Sequence, residues 1–344
     1  MDNPPGPEKT VMMPGAFNAL CAKMIADAGF GAAYVSGAAT SVAGGVPDVG
    51  LLTLEHFCRC IREAYDASGL PIIADADTGF GESEMVRRTV VEYARAGAAG
   101  LHIEDQVFPK RCGHLDGKKL VPLEHAVEKV RAAVNAARDL DCGMGVPPMS
   151  GGGRTKAYGR DAHATEQEVG RRPPEHGLVS PCHEETTAHG RDAHATEGFI
   201  ICARTDARGV EGFDAAVARA KAYVEAGADM IFPEGLATEE EFSRFALSLR
   251  HSVTPSLPFY LLANMTEFGK TPIIPAAKFG AMGYQCVIYP VSMLRVAMGA
   301  VGRALEELKR EGSVQGSLAG MQTREELYRA IGYTPGVEWE FRVK

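Results

Sequence analysis

Two stretches of this chain hold side chains whose types and spacing suit chemistry. The first is Asp75-Ala76-Asp77. In an extended segment, residues two apart point to one side. Two carboxylates so placed repel each other unless a cation joins them. Mg²⁺ is suited, held by one or two carboxylates with waters and substrate. The second stretch is FPKRCGHL at 108–115, too polar and glycine-broken for a core. Its thiol, Cys112, stands among Lys110, Arg111 and His114. Neighbouring cations favour thiolate and lower a cysteine from its usual pKa of about 8.5. Such a thiol can exchange a proton at carbon or attack as a nucleophile. The blander readings are aspartates that cap a loop and a chance loop cysteine.

Positioning these groups requires a scaffold, and one phrase recurs along the chain. A helical stretch ends in Ala-Gly or a near variant, an apolar run follows, and a polar residue closes it. The cases are 25–37, 93–105, 223–235 and 277–290. Glycine past a helix end supplies a left-handed cap, and an unalternating apolar run suits a parallel strand buried on both faces. Eight strands are expected, at 11–15, 32–37, 71–77, 100–105, 199–207, 230–235, 259–267 and 285–290. Amphipathic helices separate most of them, one beginning after Thr53 as N-cap. Eight such alternations predict an α/β fold, a (β/α)8 TIM-type barrel. The competing doubly wound sheet lacks its G-x-G-x-x-G phosphate loop.

In a (β/α)8 barrel the chemistry sits at the C-terminal strand ends. Those ends carry Tyr34, Ser36 and Gly37; Asp75 and Asp77; His102, Glu104 and Asp105; Arg204 and Asp206; Glu234; and Asn264, Thr266 and Glu267. With Glu104 on the next strand and Asp48 in the preceding loop, the acidic residues read as a site for a hard cation. Lys110, Arg111 and Arg204 on the same rim suit a substrate with several carboxylates.

The bulk properties fit a single large barrel domain over 1–344. The chain has 344 residues, 45% hydrophobic and 23% charged, and a net charge of −8. That charge argues against nucleic acid. No run of about 18 apolar residues is present, so no membrane partner is expected. The N-terminus lacks a signal-peptide pattern, and eight scattered cysteines do not form a secreted framework. A cytoplasmic protein is expected.

Residues 143–197 break the grammar. They are rich in Gly, Pro and polar residues, and GRDAHATE occurs twice, at 159–166 and 190–197. Such composition does not offset chain entropy by burial, so a flexible insertion is expected. His163, His176, His183, His189 and His194 with Cys182 match no zinc spacing. The segment falls in a helix-to-strand loop, on the barrel face opposite the chemistry.

KRCGH at 110–114 resembles the signature of the isocitrate lyase/phosphoenolpyruvate mutase superfamily. YVSG, ADADTGFG, AGLHIEDQ, ARTDA, AGADMIFPE, NMTEFGKTP, YPVSMLR and MQTREELY resemble its short branch, the 2-methylisocitrate lyases. The resemblance runs from about residue 11 to 330 apart from the insertion. It implies a homotetramer whose C-terminal helical extension, 313–344, is swapped onto a neighbouring subunit. It implies Mg²⁺, or Mn²⁺ in its place, at Asp75 and Asp77 with Asp48 and Glu104 in support. It implies a tricarboxylate held by Ser36, Gly37, Ala38, Cys112, Gly113, Arg204, Glu234, Asn264, Thr266, Arg295 and Arg324. Ala38 departs from the family's Ser-Gly-Gly turn, and permits a backbone contact only at negative φ. The implied reaction cleaves 2-methylisocitrate to pyruvate and succinate. Tyr34 is a candidate base, and Cys112 protonates the carbanion with Lys110, Arg111 and His114 setting its proton affinity. Isocitrate or dimethylmalate lyase, oxaloacetate decarboxylase, and an inactive barrel spoiled by the insertion are the rival readings.

Overall fold

The computed structural model describes residues 10–113, 115, 117–141, 198–254 and 257–339. Eight parallel strands are present: β1 (Val11–Pro14), β2 (Ala33–Val35), β3 (Ile72–Asp75), β4 (Gly100–Glu104), β5 (Ile200–Thr205), β6 (Met230–Pro233), β7 (Tyr260–Asn264) and β8 (Cys286–Tyr289). Each lies inside a segment expected from the sequence. They pair in the order β1-β8-β7-β6-β5-β4-β3-β2. A parallel bridge between Gly15 and Tyr34 closes the remaining seam, with the Ala16 amide donating to the Tyr34 carbonyl at 2.8 Å. The result is a (β/α)8 barrel. The insertion at 143–197 lies outside the described residues, after α5 (Leu123–Asp141) and before β5.

Local chemistry explains the alternation. Helix α3 (Leu54–Ser68) starts on Thr53, whose hydroxyl accepts the His56 amide. Its buried stripe, Leu54, Phe57, Ile61 and Ala64, faces the sheet. Helix α4 (Ser83–Arg95) and helix α7 (Phe213–Glu225) are followed by Gly97 and Gly227, at φ +97° and +101°, where a side chain would be strained. Between helices and strands lies one large apolar cluster. A second fills the barrel interior with Met13, Tyr34, Ile73, Met230, Phe232 and Leu262.

Parallel register sets the residues of the barrel mouth side by side. Asp75 pairs with His102 across β3–β4, and Glu104 pairs with Arg204 across β4–β5. One geometric expectation changes. Strand β3 stops at Asp75, and Asp77 lies beyond it at φ +46°. The two aspartates therefore meet because the chain turns, with the Asp77 amide donating to Asp75 Oδ1 at 3.0 Å.

Helix α10 (Ser292–Glu311) follows β8, and the C-terminal extension continues as a 3₁₀ turn (Gln315–Gly320) and α11 (Arg324–Ala330). Together they expose Val296, Leu305, Leu318, Ile331 and Trp339. No helix among the described residues is long and apolar enough to cross a membrane.

Candidate active site

The mouth is built around Asp75. Its Oδ2 accepts the Gly37 amide at 3.0 Å, Oδ1 lies 3.6 Å from His102 Nε2, and Tyr93 donates to its carbonyl at 2.8 Å. A Cβ on Gly37 would stand 2.6 Å from Oδ2, so glycine is required there. Ser36 caps helix α2 (Gly37–Ala43) through the Ala39 amide. Ala38 lies within that helix and outside the positive-φ residues, so its methyl group is compatible with a backbone contact.

Electrostatics separates the two aspartates. Burial pushes Asp75 upward, but His102, Lys110 and Arg204 outweigh it and hold the carboxyl low, at about 2. Burial and the charge on Asp75 raise Asp77 to about 6. Lys110 is buried, bonds to Asp48, and places its ammonium 2.8 Å from Asp77 Oδ1. It thus neutralises the acidic cluster, a task the sequence reading had not given it.

Glu104 meets Arg204 through Oε2 at 3.1 Å. Its Oε1 is buried with no hydrogen-bond partner among the described residues, and burial pushes its carboxyl well up. Arg204 is gripped from three sides. Nε and Nη2 donate to Asp206 at 3.0 and 3.1 Å, Glu104 lies beside Nη1, and Glu234 Oε2 is 3.9 Å from Nε. Asn264 Nδ2 donates to Glu234 at 3.2 Å. Beyond it, Arg295 reaches Thr266 Oγ1 at 3.3 Å and Glu267 at 3.2 Å on the open rim.

The thiol loop is folded onto this mouth. Gln106 clamps Arg111 in both directions, its Oε1 accepting the Arg111 amide at 2.9 Å and its Nε2 donating to the Arg111 carbonyl at 2.8 Å. Lys118 bonds to the Gly113 carbonyl and to Asp206 Oδ1, the latter at 2.7 Å. Gly113 lies so close to Arg204 and Glu234 that a Cβ would stand 2.5 Å from Nη2 and 2.6 Å from Glu234 Cδ. Cys112, half-buried and in no disulfide, is the residue before it. Arg111 is exposed. His114, expected beside Cys112, lies outside the described residues.

Tyr34 and His102 form a buried pair inside the barrel, Oη to Nε2 at 2.6 Å. Burial and then Asp75 push Tyr34 well above the usual tyrosine range. Burial lowers His102 to about 4, so the imidazole is neutral near pH 7. Tyr34 as a base must therefore work with His102 as acceptor. The sequence reading placed His102 at a strand end but gave it no task; its i, i+2 relation to Glu104 on β4 was the available signal. Asp206 likewise stands among the strand-end residues without a task, and Lys118 has no signal in the sequence. Arg324, at the first position of α11, is exposed and makes no hydrogen bond or ion pair with any described residue.

A divalent ion fits this donor set. Asp48, Asp75, Asp77 and Glu104 are hard oxygen donors, and the buried Glu104 Oε1, with no hydrogen-bond partner among the described residues, leaves an acceptor that a cation or a proton would satisfy. Among the described residues no three His, Cys, Asp or Glu side chains form a group that holds an ion unaided. Mg²⁺ needs no such cage, since waters and substrate complete its octahedron.

The family model described as phosphoenolpyruvate phosphomutase matches residues 6–172 and 166–309. The chain is 40% identical over 323 residues to 2-methylisocitrate lyase of Aeropyrum pernix, covering 94% of this chain and 83% of that one. It is 38% identical over 323 residues to 2-methylisocitrate lyase of Bacillus subtilis, covering 94% and 85%. Among solved structures it resembles 2,3-dimethylmalate lyase, described as a PEP mutase/isocitrate lyase superfamily member, with TM-score 0.71, 32% identity and coverage of 95% and 88%.

Proposed function

The chain belongs to the phosphoenolpyruvate mutase/isocitrate lyase superfamily, among the 2-methylisocitrate lyases, and from that premise we propose that it is a carbon–carbon lyase that cleaves 2-methylisocitrate to pyruvate and succinate. One observation carries this reading. The thiol loop is packed, through Gly113, against the Arg204–Glu234 pair, beside the carboxylate cluster of the same barrel mouth. On this reading a general acid and a cation site face the same barrel mouth, with the fixed positive charge of Arg204 between them.

Asp75 and Asp77 would hold Mg²⁺, with Asp48 and Glu104 in support. When bound, the ion supplies polarisation of the 2-hydroxyl and its neighbouring carboxylate. Arg204 binds a substrate carboxylate while its Asp206 bonds keep the guanidinium oriented. The Ser36–Ala38 turn offers backbone contacts to another. Arg295 with Thr266 and Asn264 takes the remaining carboxylate at the rim. Tyr34 accepts the 2-hydroxyl proton while passing its own to His102 Nε2. The C2–C3 bond breaks, its electron pair stays on C3, and the former hydroxyl carbon becomes the pyruvate carbonyl. Cys112 gives its thiol proton to C3, releasing succinate and leaving a thiolate. Arg111, the adjacent cation, favours that thiolate, while Lys110 is committed to Asp48 and Asp77. Proton exchange with solvent resets Cys112 and His102.

The exposed apolar residues of α10 and α11 support a homotetramer, with the extension seated on a neighbouring subunit. That arrangement would give Arg324 the substrate contact that one subunit does not provide.

The test is pyruvate release from 2-methylisocitrate, isocitrate and 2,3-dimethylmalate at equal concentration with Mg²⁺. The reading expects the highest kcat/KM for 2-methylisocitrate. A preference for 2,3-dimethylmalate would move the chain to that branch of the superfamily.

A further inference from the structure

Beside the catalytic mouth, with Asp77 and Gln106 on the wall between them, a cavity of about 640 Å³ opens between α3, α4 and α5. Its volume is that of a small-molecule site. Leu52, Phe80, Met85 and Val121 line its walls. Lys129 of α5 also lines it, with 7% of its surface exposed. No hydrogen bond or ion pair with any described residue holds its ammonium. A buried cation without a partner is costly. Burial pulls Lys129 below the usual lysine range, with Glu82 opposing.

The rim acids do not satisfy it. Glu82 is taken by His125 at 2.5 Å, Glu55 faces Arg88 at 3.7 Å, and both carboxylates are largely exposed. Asp77, the deeper acid on the lining, is occupied by Lys110. The cavity therefore offers an apolar body to fill and one cation to neutralise.

We propose that this cavity binds an amphiphilic monocarboxylate, its acyl chain against Leu52, Phe80, Met85 and Val121 and its carboxylate on the Lys129 ammonium. A charge-assisted N–H···O bond in a dry site is short and strong. Di- and tricarboxylates are disfavoured, because their further charges would lie against apolar wall. The site shares Asp77 with the catalytic mouth but differs from it in its apolar walls and in ligand class, and it stands whether or not the proposed lyase reaction is correct.

The test is calorimetric titration of octanoate into the full chain, with octylammonium as the opposite-charge comparator. Octanoate is expected to bind one site per chain and octylammonium not to bind. Saturating succinate and Mg²⁺ should leave the octanoate affinity unchanged. Lys129→Met should weaken octanoate by about tenfold or more. Met85→Trp, which fills the cavity and keeps the amine, should also weaken it, and covers the case in which Lys129→Met does not fold. Absence of octanoate binding, binding untouched by both substitutions, displacement by succinate, or preference for octylammonium would each overturn the proposal.

Discussion

Replacing Gly113 by alanine tests how the thiol loop is held. The added Cβ would stand 2.5 Å from Arg204 Nη2 and 2.6 Å from Glu234 Cδ. Ordinary contact begins near 3.4 Å, so about 0.9 Å of retreat is needed somewhere. Arg204 yields poorly, being held by two bonds to Asp206 and one contact to Glu104. Glu234 is tied to Asn264. The displacement therefore falls mainly on the loop that carries Cys112. Overpacking of this kind costs about 1–3 kcal/mol. A misplacement on the order of 1 Å at a reacting group costs about 10²-fold in rate. Steady-state pyruvate release by Gly113→Ala should therefore show kcat lowered by about 10²-fold, while thermal denaturation shows the barrel still folded. Wild-type kcat in a folded Gly113→Ala protein would refute this account of how the thiol is positioned.

Other perturbations have equally definite outcomes. Lys118→Met removes the tie from the loop to Asp206 while Arg204 still partners that carboxylate; limited proteolysis between 106 and 120 should quicken and kcat fall. Glu104→Gln removes a buried carboxylate held above its usual range, so the metal-free protein should melt no lower than wild type. Its stabilisation by Mg²⁺, about 2.7 kcal/mol at a hundredfold excess over Kd for an intact site, should shrink; unchanged stabilisation would remove Glu104 from the cation site. His102, at about 4 when folded against 6.5 as reference, binds its proton more readily when unfolded. Its contribution is present above pH 6.5 and is lost as pH falls toward 4, by up to about 3 kcal/mol. Denaturant unfolding of wild type and His102→Asn across that range should show the difference between them narrowing as pH falls, and parallel curves would contradict the buried neutral imidazole.

Much of this was legible in the sequence because its signals are local. Ala-Gly exits followed by apolar runs mark strands wherever a helix must end and a buried parallel strand begin. The strand-end rule then collects Asp75, Glu104, Arg204 and Glu234 at one mouth without knowledge of any distance. What stayed hidden depends on pairing across the sheet and on loop closure. Lys110 reads as a thiol's neighbour but its four-carbon stem carries the ammonium to Asp48 and Asp77. Asp77 reads as the next inward strand residue but reaches Asp75 through a left-handed turn. The Tyr34–His102 bond joins residues 68 apart, and the Lys118–Asp206 tie spans 88, with no spacing to announce either. Arg295 enters as a substrate-binding candidate only through family resemblance, since an arginine on a helix is ordinarily a solvated charge, and its contact to Thr266 has no signal in the sequence.

The most direct measurement is turnover of 2-methylisocitrate by the full chain and by Cys112→Ser, each with Mg²⁺ and with chelator. The account predicts equimolar pyruvate and succinate from the wild type with Mg²⁺ and none with chelator. It predicts that Cys112→Ser still binds the substrate calorimetrically but turns over about 10²–10⁴-fold more slowly. Undiminished product from the serine variant, or from the chelated enzyme, would contradict it.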